Sequence, residues 1–105
     1  MGAWMTPADG PADRERIRGL LRASGGEPRW WSNDPDDVYA PHEHPFHKVL
    51  FCVAGSIIFV VDDDQLFLTP GDRLDVEPHT PHAAIVGADG VECGEVAVQG
   101  TSGRA

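Results

Sequence analysis

The sequence predicts an all-β domain, a small sandwich or barrel, that follows one short helix near the N-terminus. Three observations lead to this prediction. Short apolar segments recur after residue 41 at a spacing of about ten residues, which is typical of sandwiches and barrels. Gly, Pro and Asp separate these segments, and such residues favour turns. A helical apolar period is found before residue 25, ahead of the first of these segments.

The composition limits the possible functions. The chain has 105 residues, which suits one small domain. Its net charge of −9, from 17 acidic residues against 8 Lys plus Arg, argues against binding to nucleic acid or to an anionic membrane, because phosphate contacts require clustered cations. The chain has no apolar run of about 18 residues and no basic start followed by an apolar stretch. We therefore expect a soluble, cytoplasmic protein.

The N-terminal part is predicted to contain an arm and a helix. Residues 1–10 show little periodicity and are expected to form a loose arm. Ile17, Leu20 and Leu21 share one face of a helix predicted over residues 11–24, and two glycines end it. The arginines of this helix are interpreted as its solvated face, because no aromatic residues alternate with them.

The segment from residue 27 to residue 41 contains Trp30 and Trp31 and then a turn-rich stretch. Adjacent residues of a strand point to opposite faces. One tryptophan is therefore expected in the core and the other at an interface or a pocket rim, and the sequence does not decide which.

Short strands are predicted over the rest of the chain. They are placed at residues 49–54, 56–61, 66–69, 73–76, 82–86 and 91–98, with turns between them. Cys52 and Cys93 lie in apolar segments and do not form a CxxC pair, so we expect two buried, reduced thiols. Residues 99–105 are rich in small residues and are expected to fray.

The histidines are concentrated in two runs, residues 42–48 and 78–82. His42 and His44 are separated by one residue, so on a strand they point to the same side. If His82 comes from a neighbouring strand, three imidazoles converge on one point and leave open positions for water or substrate, as in a metal site. The alternative is that His42 and His44 are only polar residues at a strand end.

The spacing within these runs resembles the two motifs of the cupin superfamily. In the first motif, His42 and His44 precede Gly55; in the second, Gly71 precedes Pro78 and His82 at the family's offsets. The resemblance implies a double-stranded β-helix, also called a jelly-roll barrel. The expected organisation is an arm and helix at 1–35, the cupin barrel at 36–98 and a flexible tail at 99–105.

Four positions depart from the family pattern. Lys48 stands where the family usually has a carboxylate ligand, Glu77 and His79 replace Pro and Gly, and Val86 replaces Asn. A protonated ammonium has no lone pair and would repel a metal ion. The resemblance therefore implies three ligands, His42, His44 and His82, and leaves the fourth position without one.

Two further residues are candidates for the site. Glu95 has the strand parity of Cys93, which suggests that it faces the interior and pairs with Lys48, because a buried cation needs a partner. Lys48 and Glu95 are thus the candidate catalytic residues, with Lys48 as a donor to an anionic substrate oxygen or as a general base. The alternative is that Lys48 extends into water at the barrel mouth. His47 is expected to point away from the site unless a bulge turns it inward, and His79 is expected in an exposed turn.

Three imidazoles can hold a divalent transition metal such as Fe, Mn, Ni, Zn or Cu. The resemblance permits several functions, and the first hypothesis is a metal-binding small cupin, such as a metal-dependent oxygenase or isomerase acting on a small polar molecule. Two alternatives stay open, a non-catalytic small-molecule or metal sensor and a metal-free structural barrel, because a fold does not fix a function. Small cupins commonly dimerise, so a homodimer formed through apolar edge strands and the N-terminal segment is expected.

Overall fold

Seven antiparallel strands and one helix form the domain in the computed structural model, which describes residues 2–98. The predicted tail at 99–105 lies outside the described residues. The elements are β1 (Ala3–Thr6), α1 (Arg14–Gly25), β2 (Arg29–Asn33), β3 (Val38–His42), β4 (His47–Val61), β5 (Asp64–Leu68), β6 (Arg73–Val76) and β7 (His82–Val98). The helix α1 has 12 residues, and within residues 2–98 no helix is long and apolar enough to cross a bilayer.

The two long strands β4 and β7 organise the sheet. The strand order is β1-β6-β4-β7-β2, while β5 also pairs with β4 and β3 also pairs with β7. Each long strand therefore pairs with different partners along its length, which lets the sheet close on itself into a barrel. The predicted all-β barrel with a short N-terminal helix is confirmed.

The predicted strand boundaries around two glycines were wrong. The segments predicted at 49–54 and 56–61 form one strand, β4, and those at 82–86 and 91–98 form one strand, β7. The β4–β7 register shifts at two points near Gly55, so bulges replace the predicted breaks. Gly55 and Gly90 both have a φ of 76°, and a Cβ at Gly55 would lie 2.0 Å from the Gly90 carbonyl oxygen. Glycine at this position allows the two strands to approach closely without ending.

The loose arm predicted for residues 1–10 was also wrong in part. Ala3–Thr6 form β1, which pairs with β6 from Ala3 opposite Val76 to Thr6 opposite Arg73. A strand of four residues carries too weak a period to be recognised, because its stability comes from the partner strand. The helix was predicted correctly, and Asp13 caps it by accepting a hydrogen bond from the Arg16 amide.

Alternate residues of β4 build two separate cores. Leu50 and Cys52 point into the barrel, where Cys52 lies opposite Cys93 and both thiols are buried and unbridged, as predicted. Val49 and Phe51 point outward and pack against the buried face of α1. Each fully buried Ile or Leu of that face contributes about 1.5–3 kcal/mol of transfer free energy. The helix thus covers one outer face of the sheet.

Candidate metal centre

The three predicted histidine ligands meet at one end of the barrel. His42 is the last residue of β3 and lies opposite His82, the first residue of β7, in the antiparallel register. His44 belongs to the connection between β3 and β4. Strand alternation therefore does not direct the His44 side chain, which reaches the site because of the course of this loop.

The loop is held in place by the second histidine-bearing turn. The His79 amide donates a hydrogen bond to the His44 carbonyl oxygen at 2.6 Å. His79 has a φ of 61°, a left-handed conformation that suits the glycine usual at this position in the family. Its side chain is 68% exposed, and its imidazole lies 3.4 Å from the Glu43 carboxylate. The prediction of an exposed turn is confirmed, and the backbone of this turn positions His44.

The three imidazoles are arranged as a possible ligand set. One ligand atom from each of His42, His44 and His82 can be chosen so that all lie within 4.8 Å of one another. The ring centroids are separated by 4.4 to 5.2 Å. His82 is buried, whereas His42 and His44 are partly exposed towards the barrel mouth. Such spacing suits a single ion bound between the rings.

Backbone carbonyls orient two of the rings. His42 Nδ1 lies 2.9 Å from the Ala40 oxygen, and His82 Nδ1 lies 2.8 Å from the Thr80 oxygen. A carbonyl oxygen only accepts, so in each pair the Nδ1–H donates and the Nε2 lone pair remains free. Metal-bound histidines commonly donate their other ring N–H to a carbonyl oxygen in this way.

The third ring has a polar atom that the protein does not satisfy. His44 Nε2 is buried and has no hydrogen-bond partner among the described residues. A buried nitrogen without a partner costs about 1–3 kcal/mol. The Phe46 ring stacks on His44 with a centroid distance of 5.0 Å and holds the ring in place. The donor set fits a transition metal ion, which would satisfy this nitrogen.

Two imidazoles of the site, those of His44 and His82, favour their neutral form. Burial lowers the pKa of His44 to about 4, with further contributions from the charges of Lys48, His82 and His42. Burial also lowers the pKa of His82, although the bond to Thr80 opposes the shift. Neutral imidazole has the lone pair that a metal requires. These two rings are therefore ready to act as ligands at neutral pH.

Lys48 and Glu95 lie beside the histidines as an ion pair. The Lys48 Nζ is 3.4 Å from Glu95 Oε1, and the two side chains are 11% and 13% exposed. Trp31 Nε1 donates a hydrogen bond to the same Glu95 Oε1 at 2.9 Å. The predicted pairing is present. The alternative in which Lys48 extends into water was wrong, because β4 alternation directs it inward with Leu50.

The histidines and the ion pair line a cavity of about 310 Å³. Trp31, Tyr39 and Phe59 form aromatic walls, and Leu50 and Ile57 add apolar surface. Desolvation is the main cause of the raised pKa of Tyr39, whose hydroxyl is hydrogen-bonded to Asn33. A cavity of this size suits a small molecule.

The structure shows which way Trp30, Trp31 and His47 point, and it places one further residue, Arg29, in the cavity wall. Trp31 faces the cavity, whereas Trp30 packs under α1 with the Arg14 guanidinium 4.3 Å from its ring centroid. His47 points outward, as predicted, and its Nε2 lies 2.9 Å from Asp75. Arg29 also lines the cavity and was missed, because it lies ahead of both motifs and in no recognisable pattern.

Comparisons with known proteins agree with this architecture. A family model described as the AraC-like ligand binding domain matches residues 32–96. A search of curated proteins found no match. Similar solved structures include a cupin superfamily protein from Desulfitobacterium hafniense, with 19% sequence identity and a TM-score of 0.63. An RmlC-like cupin from Shewanella frigidimarina has 25% identity and a TM-score of 0.60, and the polyketide cyclase RemF from Streptomyces resistomycificus has 20% identity and a TM-score of 0.62.

These structural alignments cover much of this chain but less of the other proteins. Each of the three covers 69% of this chain. The alignment spans 65% of the first two proteins and 53% of RemF. At these identities the likeness supports the cupin fold and does not transfer an activity.

Proposed function

The chain belongs to the AraC-like ligand binding domain family, and we propose that its cupin barrel holds a divalent transition metal and binds a small polar molecule beside it. His42, His44 and His82 would hold the metal, which belongs to the set Fe, Mn, Ni, Zn and Cu. When bound, such an ion supplies Lewis acidity toward a substrate oxygen or, as iron, oxygen chemistry. The reaction proposed first is therefore that of a metal-dependent oxygenase or isomerase.

The buried Nε2 of His44 is the observation that carries this proposal. A structural histidine in a barrel core normally has a hydrogen-bond partner for each buried nitrogen. His44 Nε2 has none within residues 2–98, and the rings of His42 and His82 stand beside it with their Nδ1 atoms already bonded. A metal ion explains all three features together.

Lys48 and Glu95 are proposed to act on the bound molecule. The ion pair lies at the edge of the same cavity and offers an ammonium donor to a substrate oxygen. Glu95 holds the Lys48 side chain in position, and the indole of Trp31 holds Glu95. Lys48 thus binds and orients the molecule, and Glu95 positions Lys48.

A second candidate function is a non-catalytic ligand-binding domain. The family to which the chain belongs is described by ligand binding. In this case the barrel would bind its ligand without turning it over, and removal of the metal would leave ligand affinity unchanged. Oxygen consumption or product formation by the metal-loaded protein would favour an enzyme over a binding domain.

Elemental analysis of the purified protein tests the metal site. Plasma mass spectrometry is applied to the wild type, to His44→Ala and to His47→Ala, whose ring faces Asp75 on the outer side of the barrel wall. The proposal predicts close to one transition metal per chain in the wild type and in His47→Ala, and a loss of metal in His44→Ala. A wild type that stays free of metal after incubation with iron, manganese, nickel, copper or zinc would overturn the proposal and leave a metal-free barrel.

A further inference from the structure

Arg29 lines the cavity and has no ion-pair partner among the described residues. It is the first residue of β2 and lies opposite Glu95 of β7, so its side chain lies on the same side of the sheet as the Glu95 carboxylate. The side chain is exposed and lines the cavity. No carboxylate within residues 2–98 forms an ion pair with it.

Glu95, which lies opposite Arg29 in the strand register, already has other partners. Glu95 Oε1 accepts from Trp31 and pairs with Lys48. The charged residues that line the cavity are thus two cations and one carboxylate, a net charge of +1 with the histidines counted as neutral. The whole chain, in contrast, carries −9. The cavity is a locally positive site in an acidic protein, and a metal ion would add to this charge.

We infer that the ligand of this cavity carries a carboxylate, and that Arg29 binds it. This inference rests on the proposed function, since it places the ligand in the same cavity. A guanidinium matches a carboxylate with two parallel hydrogen bonds, which gives both strength and direction. The aromatic walls of Trp31, Tyr39 and Phe59 leave space for a small apolar or aromatic body behind that group.

Binding of benzoate and of benzamide, measured by calorimetry on the metal-free full chain, tests the inference. The two probes have nearly the same shape and differ in charge. We expect benzoate to bind about tenfold more tightly than benzamide, as a charge-assisted contact implies. Arg29→Gln should abolish this preference. Arg22→Gln changes the net charge equally at an exposed position on α1, where Arg22 pairs with Glu27, and should retain it.

Equal binding of the two probes to the wild type, or an unchanged preference in Arg29→Gln, would overturn the inference. Absence of benzoate binding at millimolar concentration would also overturn it. Metal content separates this result from the proposed function, because Arg29→Gln should keep its metal whatever the outcome for the carboxylate. If the metal site is absent, the elemental analysis shows it, whereas the calorimetry on metal-free protein is unaffected.

Discussion

Two polar clusters lie on opposite sides of the same barrel wall. His44 belongs to the inner cluster, and His47, three residues later, belongs to the outer cluster. The inner cluster contains His42, His44, His82, Lys48 and Glu95 and faces the cavity. The outer cluster contains His47, Asp75 and Arg73, beside the ring of Trp4. Both clusters combine imidazole, carboxylate and cation, so composition does not distinguish them.

Hydrogen bonding distinguishes the two clusters. In the outer cluster, Arg73 donates to both oxygens of Asp75 at 2.7 and 3.1 Å, and His47 Nε2 lies 2.9 Å from the same carboxylate. In the inner cluster, His44 Nε2 has no partner among the described residues. The outer cluster is therefore complete without a ligand, whereas the inner cluster has a nitrogen free to bind one. The buried His44 Nε2, which has no hydrogen-bond partner among the described residues, identifies the candidate site better than the presence of histidine does.

The largest expected effect comes from breaking the inner ion pair. Glu95→Ala leaves the Lys48 ammonium buried without its counter-ion and removes the acceptor of Trp31 Nε1, so we expect the free energy of unfolding to fall by about 3 kcal/mol. Urea denaturation of the metal-free protein measures this change. The double variant Lys48→Met with Glu95→Leu should recover most of the loss, because it removes both charges. A loss as large in the double variant as in Glu95→Ala would argue against the ion pair as the cause.

The next largest expected effect is on metal affinity, which should depend on His44 and not on His47. His44→Ala removes a proposed ligand, and we expect zinc affinity to fall at least about 100-fold, equivalent to about 2.7 kcal/mol. His47→Ala should leave zinc affinity within about twofold of the wild type, because its ring faces Asp75 on the other side of the wall. Competition titration with a chelator provides both values. Similar losses in the two variants would contradict the comparison.

In the outer cluster, the Asp75 carboxylate should make the free energy of unfolding depend on pH. Burial would raise the pKa of Asp75, but the bonds from Arg73 and His47 outweigh this effect and lower it below its usual value of 3.8. The unfolded chain then binds more protons than the folded one in this range, so the contribution of Asp75 is present above pH 3.8 and is lost as the pH falls through the lowered pKa.

Asp75→Asn provides the matched test of that dependence. We expect it to lower the free energy of unfolding by about 1 kcal/mol at neutral pH, because Arg73 is partly exposed and water screens the pair. The difference from the wild type should vanish in acid, as followed by urea denaturation across pH. A difference that stays constant with pH would mean that the carboxylate charge does not contribute.

A further effect is the shifted titration of His44 within the inner cluster. The lowered pKa of His44 means that its ring stays neutral until the pH approaches about 4 in the metal-free protein. Because the folded state then binds fewer protons than the unfolded state, the metal-free protein loses stability as the pH falls from about 6.5 toward that value. NMR of the ring nitrogens follows His44 directly. Titration of His44 near 6.5 would contradict its burial in the inner cluster.

Local patterns predicted much of the fold and which three histidines lie together. The helix over residues 11–24, the all-β class and the pairing of Lys48 with Glu95 follow from periodicity and parity, which depend only on neighbouring positions. The errors are of one kind. β1 and the merging of four predicted strands into β4 and β7 depend on partner strands distant in sequence, and on Gly55 accommodating a bulge where a turn was expected.

The sequence by itself determined that imidazoles His42, His44 and His82 occur at offsets typical of a cupin, and that the chain is acidic overall. Only the tertiary structure decided that His42 lies opposite His82 and that the His79 amide fixes the His44 loop. It also decided that Arg29 lies beside the cavity with no ion-pair partner in residues 2–98. The reason is physical. Alternation along a strand is set by the local backbone, whereas register, bulges and the satisfaction of each buried nitrogen depend on which distant residues the closed barrel brings into contact.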